Sequence, residues 1–270
     1  MTRPWLKLCR DSAADIRGVL AGMPSSRERE PVVGTGLGGD ETIAVDAAAE
    51  AAVVARLERL ERGGLGFTLV SEELGERAFG GGGAPWVVLD PIDGSLNAKR
   101  GIPSFALSVA VATGPTLGEV AFGYVYDFGT GEEWTAVLGE GARRNGEPLG
   151  DERPREQIEV LALEATLTSL IAEKAPAVVG LAHRLRIQGS LAIALCHLAA
   201  GRIDAVCSLK PARAVDIAAA ALVLREQGLA IELPEAAPFD AAPLDTIGRS
   251  RVVAGASAEV CARLGAAIAG

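Results

Sequence analysis

Six consecutive residues, Asp90-Pro91-Ile92-Asp93-Gly94-Ser95, bring two carboxylates and a hydroxyl close together along the chain. The stretch before them, Trp86-Val87-Val88-Leu89, is continuously apolar and reads as a buried strand that ends on Asp90. Pro91 fixes φ and predicts a turn there. Asp93 falls just before Gly94 and Ser95, where a short helix can start. Both carboxylates and the Ile92 carbonyl would then share one corner. The amides of Gly94 and Ser95 would point outward at a helix N-terminus, which is an anion site. Gly94 has no side chain to hold a phosphate off the backbone. Other acids stand at comparable points. Glu72 and Glu73 follow the strand-like Phe67–Ser71, Asp46 opens an Ala-rich helical stretch with Asp40 six residues earlier, and Asp216 opens another helix. Hard oxygen donors of this kind suit Mg²⁺ or Mn²⁺ rather than zinc, and no Cys/His cluster competes. Since Asp at a helix start is ordinarily a cap, spacing alone does not bring these acids together.

The elements that must position them follow from periodicity. Helical spacing covers 5–22 and 46–62, with Gly63-Gly64 ending the second, and a polar loop is expected between them. Strands are expected at 67–71, 86–89, 105–112, 120–126 and 134–138, followed by a turn at Asn145-Gly146. The glycines 80–83 read as a connector. Beyond residue 150 strands and helices alternate: strands at 157–163, 184–187, 203–208 and 252–254, helices at 166–174, 190–200, 215–227 and 258–269.

Composition excludes several function classes. The chain has 270 residues, 49% of them hydrophobic, and a formal net charge of −9. That is enough to bury a substantial core. No sustained Lys/Arg cluster is present, so nucleic acid is not an expected partner. The four cysteines, Cys9, Cys196, Cys207 and Cys261, form no C-x-x-C pair and read as reduced thiols of a cytoplasmic protein. The start of the chain has no apolar leader core, so no signal peptide is expected. The most apolar stretch, 214–224, contains Asp216 and is too short to span a membrane.

The run Trp86-Val87-Val88-Leu89-Asp90-Pro91-Ile92-Asp93-Gly94-Ser95-Leu96-Asn97, with Pro103 and Phe105 after it, resembles the D-P-[IL]-D-G-[ST]-x-N and P-x-F segments of the inositol monophosphatase family, part of a wider group that includes the fructose-1,6-bisphosphatases. Ser71-Glu72-Glu73 and Val215-Asp216-Ile217-Ala218-Ala219 resemble two further family motifs, the second written W-D-x-A-A. Gly39-Asp40-Glu41-Thr42 with Asp46 and Glu50, and Gly189-Ser190 with Cys196, Gly201 and Asp204, fit the remaining signatures in order. Gly38-Gly39-Asp40-x-Thr42 and the tract around Gly139-Glu140-Gly141-Ala142 are similar to the compact archaeal-type members with dual activity.

The resemblance implies an α+β fold, a layered α-β-α-β-α sandwich. It implies one catalytic domain over 1–270 with lobes of about 1–150 and 151–270. It further implies a homodimer and Mg²⁺-dependent hydrolysis of inositol-1-phosphate and/or fructose-1,6-bisphosphate. Two or three Mg²⁺ ions would serve, Mn²⁺ being an alternative. Glu72, Asp90, the Ile92 carbonyl, Asp93 and Asp216 would bind metal. Asp46 and Ser95 would orient the attacking water. The amides of Gly94 and Ser95 would hold the phosphate, and Gly189, Ser190, Arg186, Lys210 and Arg213 would face the substrate. A flap over 33–42 would carry Asp40, with Thr42, to a third metal.

Ala98 and Val215 depart from the family's aromatic residues, and Lys99-Arg100 are unusual charges beside the site. A nucleotide phosphatase for 3′-phosphoadenosine-5′-phosphate or NADP, and a non-catalytic relative that only binds metal or sugar phosphate, are the alternatives. Gly34-x-Gly36-x-x-Gly39 matches a dinucleotide-binding pattern, but no apolar strand precedes it and the next helix begins only near Asp46.

Overall fold

A computed structural model describes residues 2–36, 41–164, 167–236 and 238–269. The chain opens with α1 (Thr2–Gly22), α2 (Ser26–Arg29), an antiparallel pair β1 (Val32–Thr35) and β2 (Glu41–Ile43), and α3 (Ala44–Arg62). Next come β3 (Phe67–Ser71), β4 (Gly75–Phe79), β5 (Trp86–Asp93), α4 (Ser95–Arg100), β6 (Ala106–Ala112), β7 (Val120–Asp127), β8 (Glu133–Val137), β9 (Gly141–Arg144) and β10 (Glu147–Pro148). These strands form an eight-stranded sheet in the order β10-β9-β8-β7-β6-β5-β3-β4, in which only the β3–β5 pairing is parallel. The remainder is β11 (Ile158–Glu164), α5 (Thr168–Lys174), β12 (Ala182–Arg186), α6 (Leu191–Ala199), β13 (Ala205–Ser208), α7 (Ala214–Glu226), β14 (Ala230–Glu232), β15 (Val253–Gly255) and α8 (Ala258–Ala269). Its five strands order as β12-β11-β13-β15-β14, with β11 parallel to both neighbours.

Side-chain alternation assigns each strand face to a layer. In β5, Val87 and Leu89 pack with Trp5 and Ile16 of α1 and Val53 and Leu57 of α3, while Val88 turns to the opposite side. That side is shared with Leu195 of α6, with Ala219 and Val223 of α7, and with Val206 and Ala254 of the second sheet. Leu161, Cys207 and Val253 face outward onto Val260 and Leu264 of α8. The order is therefore helices, sheet, helices, sheet, helix: the expected α-β-α-β-α sandwich. No helix among the described residues is long and apolar enough to cross a membrane. All four cysteines are buried and unpaired, as their spacing suggested.

Several elements differ from the expectation. Asp90 does not end β5. The strand continues to Asp93, and Pro91 lies in a bulge where three residue steps oppose two on β6 (Asp90↔Ser108, Asp93↔Ala106). A proline is tolerated at such a bulge because the ladder there needs no N–H from it. The polar loop before α3 contains α2 and β1. Gly34 pairs with Thr42 in a ladder instead of leading from strand to helix, which removes the dinucleotide-binding reading. β4 was also unforeseen, and the 80–83 glycines are the turn that follows it.

The buried central helix α7 sits very close to the first sheet. A Cβ at Gly123 of β7 would lie 2.6 Å from the Ala219 carbonyl oxygen. Gly123→Val is expected to destabilise the fold by about 1–3 kcal/mol through overpacking, measured by urea denaturation.

Candidate active site

The C-terminal ends of β3, β5, β11 and β13 meet the first turns of α3, α4 and α7 around a cavity of about 390 Å³. Among the described residues, eight acidic side chains line it against three basic ones, Lys99, Lys210 and Arg213. Glu72, Asp90, Asp93 and Asp216 are all among the lining residues, as are Asp46, Ile92, Gly94, Ser95, Gly189 and Lys210.

Each carboxylate is oriented by named donors. The Ile92 amide donates to Asp90 Oδ1 at 3.0 Å across the bulge. Asp93 Oδ2 accepts from Ser190 Oγ at 2.5 Å and from the Ala192 amide at 2.7 Å, at the start of α6, where the helix field favours negative charge. Asp216 Oδ2 caps α7 by accepting the Arg213 amide at 2.7 Å. Arg213 Nη2 bonds Glu72 Oε1 and lies 3.5 Å from Asp216 Oδ1. Glu50, one turn along α3 from Asp46, accepts from Ser71 Oγ and from the Leu74 amide at 3.3 Å, which fixes the chain around Glu72 and Glu73.

The turn into α4 closes one side of the cavity. Gly94 adopts φ 97°, and a Cβ there would lie 3.0 Å from the Gly189 carbonyl oxygen and 3.1 Å from that of Ser104, so only glycine fits. The Gly94 carbonyl takes the amides of Asn97 and Ala98. The side-chain amide of Asn97 donates to the Ser104 and Gln188 carbonyls, both at 2.7 Å, joining α4 to the second sheet's connection. Arg29, which sequence reasoning passed over, clamps the far side: it donates to the carbonyls of Met23, Ala98 and Leu20 at 2.6, 2.7 and 3.2 Å. Ala98 is wholly buried where the family has an aromatic.

Not every expected residue reaches the cavity. Ser190 is 1% exposed and spends its hydroxyl on Asp93, so it supports a carboxylate instead of facing substrate. Arg186 sits on the exposed edge strand β12 and donates to the Leu185 carbonyl; it is not among the lining residues. Thr42 Oγ1 donates to Glu73 Oε2. Asp40 and most of the flap tip lie outside the described residues. Glu164, Glu41 and Ser208 line the cavity without having been foreseen. Glu164 carries the same signal as Asp90, an acid at the end of an apolar strand, and accepts the amides of Gln188 and Gly189 at 3.0 and 2.8 Å.

Crowding shows in the electrostatics. Burial, then the neighbouring Glu72 charge, raises the Asp46 carboxyl from its ordinary 3.8 to about 7. Burial and the nearby carboxylates raise Glu72 and Asp90 as well. Asp93 is raised by burial against the opposing Ser190 bond. One oxygen of Asp46, Oδ1, is buried without a hydrogen-bond partner among the described residues. Buried oxygen donors that repel one another, with a guanidinium drawn between two of them, fit a hard divalent cation.

Among the described residues the group whose ligand atoms all fall within 4.8 Å is a different one, Asp127, Glu132 and His197. Arg202 already grips both oxygens of Glu132 at 2.6 Å, and Asp127 caps the turn at Gly129 and Thr130.

Fold and cavity together define a phosphoric monoester hydrolase when set beside known proteins. The inositol monophosphatase family profile matches residues 9–267. A fructose-1,6-bisphosphatase/inositol-1-monophosphatase of Archaeoglobus fulgidus is 37% identical over 231 residues, covering 83% of this chain and 82% of that one. A protein of the same name from Methanothermobacter thermautotrophicus is 34% identical over 233 residues, covering 78% of this chain and 82% of its own length. A solved inositol monophosphatase–fructose 1,6 bisphosphatase superposes with a TM-score of 0.82 at 27% identity, over 97% of this chain and 99% of that one. The chain belongs to the inositol monophosphatase family, whose members are in general metal-dependent.

The raised carboxyls set the pH response of the metal-free protein. Between about pH 4 and 7 the native state binds more protons than the unfolded chain, so stability falls as pH rises. In a chelator, the thermal midpoint should be lower at pH 7.5 than at pH 5.5 by about 3 °C or more, read by calorimetry. A midpoint that rises over that interval would contradict the assignment.

Proposed function

We propose that this phosphatase hydrolyses small sugar or polyol phosphate monoesters, inositol-1-phosphate and/or fructose-1,6-bisphosphate, with Mg²⁺ (or Mn²⁺) as cofactor. The observation that carries the reading is the single cavity in which Glu72, Asp90, Asp93 and Asp216 gather beside the N-terminus of α4. The names of the archaeal relatives support the substrate class.

In this reading Glu72, Asp90, the Ile92 carbonyl, Asp93 and Asp216 hold the cations. When bound, these supply a polarised water and charge stabilisation for the phosphoryl oxygens and leaving alkoxide. The chain's own groups do the rest. Asp46, with its buried unpartnered oxygen, holds the attacking water beside Ser95 and takes its proton. Ser95 Oγ, which donates to the Ile92 carbonyl at 3.1 Å, turns to that water. The amides of Gly94 and Ser95 hold the phosphate, and Lys99 and Lys210 balance its charge. The water oxygen bonds to phosphorus as the ester P–O bond breaks; the departing alkoxide takes a proton from solvent water, and Asp46 returns its proton to solvent. Residues 1–270 work as one catalytic unit, with lobes meeting near residue 150. The working form is a cytoplasmic homodimer. That rests on the family and, for the compartment, on four buried reduced thiols.

The test is phosphate release with Mg²⁺ from inositol-1-phosphate, fructose-1,6-bisphosphate, histidinol phosphate, NADP and 3′-phosphoadenosine-5′-phosphate. Turnover of the first two should dominate, and Asp90→Asn should lower kcat by about 10³-fold or more. A nucleotide preferred tenfold over both sugar phosphates would overturn the substrate; undiminished turnover by Asp90→Asn would overturn the site.

A further inference from the structure

Among the described residues, Arg213 is the one basic side chain of the cavity that is itself buried. It is 6% exposed and N-caps α7. Its guanidinium bonds Glu72, lies 3.5 Å from Asp216 Oδ1, and is drawn electrostatically to Asp90 as well. Glu72 comes from the end of β3 in the first sheet and Asp216 from the first turn of α7. One tethered cation therefore spans two carboxylates that the proposed function gives to metal. Against burial, which acts to lower it, Asp216 and Glu72 raise the Arg213 guanidinium further, so it stays charged at any physiological pH.

We infer that Arg213 is a built-in competitor for the metal. In the metal-free protein it bridges Glu72 and Asp216 and offsets their repulsion; a divalent cation entering between them must displace it. The Arg213 backbone remains fixed at the α7 N-terminus, so the displaced guanidinium stays at the cavity, where Lys210 also lies. There it meets the phosphate. Cation binding thus releases a phosphate-binding group, and the two ligands become coupled through one side chain. This rests on the proposed metal ligands, and the experiment separates the two claims.

Mg²⁺ and Mn²⁺ binding is measured by calorimetry at pH 8, where protons compete least, on the wild type, Arg213→Gln, Arg213→Lys, Glu72→Gln and Asp216→Asn. Removing the competitor should lower the metal Kd about tenfold in Arg213→Gln, since a site that is open a tenth of the time binds tenfold more weakly. The metal-free Arg213→Gln protein should also melt earlier than the wild type, and saturating Mg²⁺ should close that gap. Arg213→Lys, which keeps the charge but not the two-pronged reach, should fall between and serves if the glutamine variant does not fold. Inorganic phosphate should bind the wild type more tightly with Mg²⁺ than without, and Arg213→Gln should lose most of that gain. An unchanged or weaker metal affinity in both Arg213 variants overturns the competition. Unchanged affinity in Glu72→Gln and Asp216→Asn overturns the metal site beneath it.

Discussion

Holding several largely buried carboxylates around one cavity is the constraint to which the rest of this protein answers. Like charges a few ångströms apart repel strongly once water is removed, and each acid also loses its hydration. The chain relieves this in three ways. Backbone amides and a hydroxyl donate to Asp90, Asp93 and Glu164. A buried guanidinium sits between Glu72 and Asp216. The remaining excess is taken up by raised proton affinity, as at Asp46. An assembly so arranged is destabilised for the sake of a ligand, a common condition of functional sites.

The layers exist to deliver strand ends to that point. β3 and β5 run parallel, so Glu72 and Asp90 emerge side by side, while β11 and β13 bring Glu164 and Ser208 from the second sheet. Helices fill the space between and turn their first residues inward. Small side chains make the spacing possible: α7 is alanine-rich where it crosses the first sheet, and Gly123 lets it come close. Its far end is also tied, because Glu226 accepts the amides of Gly139 and Gly141 at 2.9 and 2.8 Å.

Much of this was legible where burial is two-sided or periodic. The strands at 67–71 and 86–89 and the long helices stand out because their apolar patterns are uninterrupted, and Asp90, Asp93 and Asp216 stand out at their ends. β4 was not legible because only its first and last residues are buried. β1 was not because all four of its residues are exposed. Pro91 looked like a turn because a bulge is a property of two strands, and β6 lies far along the sequence. Glu164 could have been found by the rule that found Asp90. The pairing of Arg213 with Glu72 could not, since 141 positions separate them and neither neighbourhood hints at the other. Ser190 was assigned to substrate by motif, whereas its burial commits it to Asp93.

Asp93 belongs to the first sheet, yet both donors that aim its Oδ2 belong to the start of α6, nearly a hundred residues later. The carboxylate works as a keystone. Neither half of the chain supplies both the carboxylate and the donors that aim it, so a shift of one sheet against the other would re-aim Asp93. The same dependence makes the centre a sensitive gauge of how well the layers are seated.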